Sequence, residues 1–272
     1  MNKFLIFALN LAVKSHREQV LERAAGLTFR VLLAFFPFLI FLMSLIGFLE
    51  LDETAILEGL YTVLPSGDIS MLVERFLNEL SITRSAGVLS TALFFSVYNT
   101  TNGFRAIIRS INHAYGIRDE RGIVRQVMLS LVLMLLFSAA LIIMISLLVF
   151  GRQILGYFFP NGTDLLYSVL SGAGAVLLLI FVTSLIYKLA NAQRLCFKYV
   201  LPGGVLTVIA WVVVSTAFGF VTQNFTQYPA IYGSIAGVFI LILWLNTVSV
   251  ILLIGNEINA TLFFRKSTLY HP

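Results

Sequence analysis

From Gly233 through Asn256 the chain carries no charged side chain. The stretch GSIAGVFILILWLNTVSVILLIGNEINATLFFRK then sets Glu257 between Asn256 and Asn259, shortly before Arg265 and Lys266. A helix needs about 20 consecutive apolar residues to cross a bilayer, so this stretch belongs in lipid. A carboxylate at the end of it is costly, and something must compensate it. Composition generalises the point. Of 272 residues, 59% are hydrophobic and 11% charged, whereas soluble domains carry about 25% charged residues. The fold class is therefore all-α: a polytopic membrane protein.

Six stretches are long enough to span, at about 27–49, 85–104, 127–150, 165–187, 200–221 and 234–253. With the N-terminus inside, every Lys and Arg except Arg75, Arg84 and Arg152 falls on a cytosolic segment. The acids Glu50, Asp52, Glu53, Glu58, Asp68, Glu74, Glu79 and Asp164 fall outside. Basic residues accumulate on the cytosolic side, so both termini are expected in the cytoplasm. Residues 1–26 hold too few apolar positions to span and are expected to form a cytosolic interfacial helix rather than a cleaved signal. Ile69, Leu72, Phe76 and Leu80 recur at helical spacing after Pro65-Ser66-Gly67, which predicts outer amphipathic helices within 52–82. Phe104, Ile107, Ile108, Ile111 and Tyr115 form a second stripe, with Asn112 on another face; span two is expected to run on into the cytosol or to bend along the inner interface. The sequence shows no internal repeat, and residues 1–272 read as one membrane domain.

Polar residues inside a membrane should turn toward the bundle interior. On span two, Ser85, Ala92, Ser96, Asn99, Thr100 and Gly103 share a face at 100° per residue; on span six, Asn246, Ser249, Asn256, Glu257 and Ala260 do. Two readings stay open for these stripes. They pack small residues and amide glue between helices, or they line a substrate pathway made of Ser96, Asn99, Thr100, Asn246, Ser249, Asn256, Glu257 and Asn259. Arg30, one turn into span one, is expected at the depth of Glu257 and is the first candidate for its counter-ion, with Arg23 or Arg105 as substitutes. Glu257 itself is expected near the cytosolic boundary, within reach of water. Pro37, mid-span in LLAFFPFLI, removes a backbone donor and should kink its helix.

Nothing here calls for a cofactor. His16, His113 and His271 are scattered and make no metal-ligand spacing, and the single cysteine, Cys196, permits no intrachain disulfide. Cytosolic loops of about twenty residues or fewer leave no room for the basic domain a nucleic-acid site would need. No catalytic residues, and no nucleic-acid partner, are therefore expected.

Several stretches taken in order resemble the YihY/BrkB family of bacterial inner-membrane proteins over almost the whole chain. They are LTFRVLLAFFPFLIF, GFRAIIRSINHAYGIRDERG, LPGGVLTVIAWVVVS and YGSIAGVFILILWLNTVSVILLIGNEINA. In the last, Tyr232, Gly233, Ser234, Trp244, Gly255, Glu257 and Asn259 match a YGS…W…G-x-E-x-N pattern. The resemblance implies a transporter or exporter, of an envelope lipid or a small molecule, although members have also been called ribonuclease-like. The alternative is a membrane scaffold that binds a partner through its outer amphipathic helices. Expected partners are membrane lipids, an unidentified lipid or small-molecule substrate, and a second copy of the chain in a homo-oligomer.

Overall fold

A computed structural model describes residues 19–48, 86–158, 163–193, 195–224 and 235–268. These residues form six helices and no strand: α1 Val20–Phe48, α2 Ala86–Ala114, α3 Ile123–Phe158, α4 Asp164–Ala190, α5 Phe197–Asn224 and α6 Ile235–Thr268. Each expected span coincides with one helix over its described part. Five of the six helices are long and apolar enough to cross a membrane. The exception is α2, whose polar stripe and Arg105 and Arg109 dilute its apolar content. The expected interfacial helix over 1–26 and the outer helices over 52–82 lie outside the described residues, apart from the start of α1.

Lipid as a solvent explains the helices: it offers no hydrogen bonds, so the backbone must satisfy itself within each segment. It also explains their outer faces. Phe94, Leu177, Val213 and Phe220 are each at least 60% exposed, which in water would be a liability and in lipid is the rule. Consecutive helices pack against one another, and α6 closes the ring on α1. Two clusters fill the interior. One gathers Leu27, Ile108, Ile111, Leu133, Tyr187, Ala190 and Val200 from α1 to α5, with Leu253 of α6. The other joins Leu39, Leu42, Ile142, Ile145, Leu241 and Leu245 of α1, α3 and α6.

Of the two readings of the stripe after span two, the structure favours a helix that runs on. Phe104, Ile108, Ile111 and Tyr115 are buried in the first cluster and do not lie along an interface. The same helix simply continues to Ala114, where Gly116 at φ +66° ends it; the left-handed conformation lets Ile117 N–H reach back to the Asn112 carbonyl. Likewise α1 begins at Val20 and runs unbroken past Pro37, and α6 runs to Thr268, well beyond the expected end at 253.

Candidate functional site

The centre of the bundle is the C-terminal half of α6. Asn256, Glu257, Asn259 and Ala260 are all nearly fully buried. Glycine makes this burial sterically feasible. A Cβ on Gly255 would collide with Thr207 Oγ1 and come within 2.8 Å of the Tyr187 hydroxyl. A Cβ on Gly203 would collide with the Gly255 carbonyl, and one on Gly204 with Ser184 Oγ. Three close approaches therefore lock α4, α5 and α6 together, as small residues do where van der Waals packing drives helix association.

Polar groups then stitch that contact. Tyr187 Oη donates to the Leu252 carbonyl at 2.7 Å and lies 2.8 Å from Thr207 Oγ1. Pro202, inside α5, has no N–H and disturbs the local ladder. Asn259 compensates beside it: its Oδ1 accepts from Gly203 N–H at 2.7 Å and its Nδ2 donates to the Val200 carbonyl at 3.0 Å. One turn away Asn256 Nδ2 donates to the Ile111 carbonyl at 3.0 Å, one of the last four carbonyls of α2, which have no intrahelical donor. Asn112 repeats the device between α2 and α4. Its Nδ2 donates to the Ala190 carbonyl at 2.9 Å, and its Oδ1 accepts from Ala192 N–H at 2.8 Å. Arg121 completes that helix end through the Ala190 and Asn191 carbonyls.

Glu257 is paired with Arg23, whose Nη2 lies 3.2 Å from its Oε1; the two side chains are 1% and 18% exposed respectively. The expected Arg30–Glu257 pair is therefore corrected. Arg30 sits on the same helix about 10 Å further along the axis, two turns from the guanidinium that reaches the carboxylate. Its side chain is exposed, beside α2. The expectation that water reaches Glu257 is corrected too. Because α6 continues past it to Thr268, the carboxylate lies within the helix packing and not at its frayed end. Tyr115 shares this environment: burial, and secondarily the Glu257 charge, hold its hydroxyl above the usual tyrosine range.

The remaining pathway candidates are dispersed. Ser96, Thr100 and Ser249 are buried. Asn246 is half-buried and accepts from Thr28 Oγ1 at 3.2 Å, bridging α6 to α1. Asn99 turns back on its own helix, donating to the Phe95 carbonyl at 2.9 Å. No hydrogen bond joins Asn99 to Asn246. Two open clefts flank the α2–α3 loop, lined by residues between Arg109 and Leu129 and between Lys188 and Ala192, and none of the pathway candidates lines either one. Sequence reasoning missed Tyr187, Thr207 and Asn112 as structural partners. A tyrosine and a threonine within apolar runs give no signal by type, and Asn112 was assigned to the wrong side of its helix.

A family model described as virulence factor BrkB matches residues 11–268. The chain belongs to the BrkB family. A ribonuclease-like protein, YfkH, of Bacillus subtilis (strain 168) is 34% identical over 250 residues, covering 90% of each chain. A UPF0761 membrane protein of Psychrobacter sp. (strain PRwf-1) is 27% identical over 285 residues, 99% of this chain but 50% of that relative. Another, of Chromobacterium violaceum, is 24% identical over 265 residues, 95% of this chain and 62% of its own length. The chain thus spans nearly all of the Bacillus relative and only about half to three fifths of the UPF0761 proteins. No solved structure matches it. Family membership and the apolar helices together make this a multi-pass membrane protein of the BrkB family.

Proposed function

We propose that this BrkB-family protein spans the bacterial plasma membrane six times with both termini in the cytoplasm. In this reading it moves a substrate, an envelope lipid or a small molecule, along the seam where α2 faces α1 and α6. The observation that carries the reading is a set of buried polar atoms with no hydrogen-bond partner: the Thr100 and Thr101 hydroxyls on α2 and Asn256 Oδ1 on α6. Polar residues that serve only as helix–helix glue are expected to be satisfied, because an orphaned polar atom away from water costs about 1–3 kcal/mol. Unpaired groups on one seam instead suit a route that is closed in this state and hydrates, or accepts substrate, when α2 moves. Ser96, Ser249 and Glu257 belong to the same seam by position, and the reading assigns the chain no enzymatic step.

Two experiments test it. For topology, a cysteine at Ser66 should label with a membrane-impermeant maleimide in intact cells, while native Cys196 stays protected; labelling of Cys196 from outside would invert the map. For the route, Thr100→Val and Thr101→Val should leave thermal stability unchanged or raise it by about 1 kcal/mol, since each removes an unpaired hydroxyl from an apolar site. The same variants should slow export or flipping in proteoliposomes. Loss of stability with unchanged transport would return the stripe to a packing role.

A further inference from the structure

Three arginines from two helices gather on one exposed flank, and their company is unusual. Gly103 of α2 draws α1 so close that a Cβ there would lie 2.9 Å from Ala34 Cβ, with the Arg30 carbonyl 3.9 Å away. This contact sets Arg30 of α1 beside the rungs of α2 that carry Arg105 and Arg109. Their mutual repulsion is felt: burial first, then the Arg30 and Arg105 charges, hold Arg109 below the usual arginine range. None of the three forms an ion pair among the described residues, whose pairs are Arg23–Glu257 and Arg121–Asp119. Among the described residues Arg105 hydrogen-bonds Gln126 through Nη2, at 3.5 Å, and its Nε is buried without a partner.

Beside them opens a cleft of about 490 Å³, lined in part by Arg109, His113, Arg118 and Gln126. Its one described acid, Asp119, is occupied by Arg121, which donates its backbone N–H to Oδ1 at 3.2 Å and brings Nε within 3.6 Å. The flank is therefore a cationic site in which arginines outnumber the one described acid, Asp119, whose Oδ1 is taken by Arg121 and whose Oδ2 is buried without a partner. Exposed apolar side chains neighbour these residues along the chain: Phe29 and Leu33 beside Arg30 on α1, at 62% and 57%, and Ile123, Val124 and Met128 beside Gln126 on α3, at 73%, 77% and 57%. An anion that fits both features carries its own hydrocarbon.

We propose that Arg30, Arg105 and Arg109 hold the phosphate of an anionic phospholipid from the leaflet at the basic end of the bundle, with its acyl chains along Phe29, Leu33 and Met128. Guanidinium forks suit phosphate oxygens, and the buried Arg105 Nε–H gains an acceptor. The bound lipid screens three like charges that the α1–α2 contact forces together, so it acts as a structural cofactor of that contact. This assignment rests on the membrane-spanning reading and is independent of any transported substrate.

Native mass spectrometry of the full-length protein in detergent tests it, with dioleoyl phosphatidylglycerol and dioleoyl phosphatidylcholine as probes of equal chain length. Retention of phosphatidylglycerol should exceed that of phosphatidylcholine by about tenfold, the effect of charge-assisted contacts to the headgroup. Arg109→Gln and Arg30→Gln should each abolish most of the preference, whereas Lys198→Gln, on exposed α5 surface, should not. Arg109→Lys keeps the charge and a lysine-compatible surface, so it should retain part of the preference even where a glutamine variant folds poorly. Equal retention of the two lipids, or equal losses in the Lys198→Gln control, would overturn the proposal. Displacement of phosphatidylglycerol by inorganic phosphate alone would also overturn it, assigning the site to a soluble anion. Normal lipid retention in a variant that has lost transport would sink the proposed route and leave this site standing.

Discussion

Asn259→Ala should destabilise the folded protein by about 1–3 kcal/mol, because it removes two buried hydrogen bonds between α6 and α5, one to the Gly203 N–H and one to the Val200 carbonyl, each worth about 0.5–1.5 kcal/mol. Both partners sit in the stretch of α5 that Pro202 already deprives of one donor, so no local rearrangement offers a substitute. Asn259→Asp separates the two halves of the effect. The aspartate keeps an acceptor for Gly203 N–H but loses the donor to Val200 and adds a charge, so it should be at least as damaging as alanine. Gly255→Ala should match them by a different cause, since its Cβ would fall on Thr207 Oγ1 and press on the Tyr187 hydroxyl. Overpacking alone costs about 1–3 kcal/mol, and the Tyr187–Thr207 contact would be disturbed as well. Reversible unfolding in mixed micelles reads all three; if Asn259→Ala melted within a few tenths of a kcal/mol of the native chain, the amide would be idle.

These side chains show how far the sequence could be read. Long apolar runs specify helices in lipid by length alone, which is why six helices were legible and why each overlaps its expected span. Helix ends were less legible. The periodic apolar pattern of 104–115 has the same form on a helix lying in an interface and on one buried in a bundle, and only the packing of Ile108 and Ile111 against α1 and α3 distinguishes the two. The G-x-E-x-N stretch of α6 stood out because amides and a carboxylate are rare there, yet their partners did not. Asn259 serves backbone atoms of α5, and backbone atoms have no sequence signature. Arg23, the substitute and not the first candidate, pairs with Glu257 for a geometric reason: α1 begins at Val20, seven residues before the expected span start at Leu27, and this places Arg23 within the bundle.

Glu257 is held by Arg23 at the buried end of α6, and a double-mutant cycle between those two residues tests that contact directly. Removing one member of a buried ion pair costs about 3–5 kcal/mol, mostly because the other charge is left uncompensated. Arg23 retains some contact with solvent, so Arg23→Gln and Glu257→Gln should each fall toward the lower end of that range. Combining them leaves two neutral amides that still fit, and the double variant should recover part of the loss, giving a coupling of about 1–3 kcal/mol. The parallel cycle with Arg30→Gln should be additive. A coupling for Arg23 and Glu257 with none for Arg30 is the predicted result; additivity for Arg23 alongside coupling to Arg30 would contradict the structure of this site.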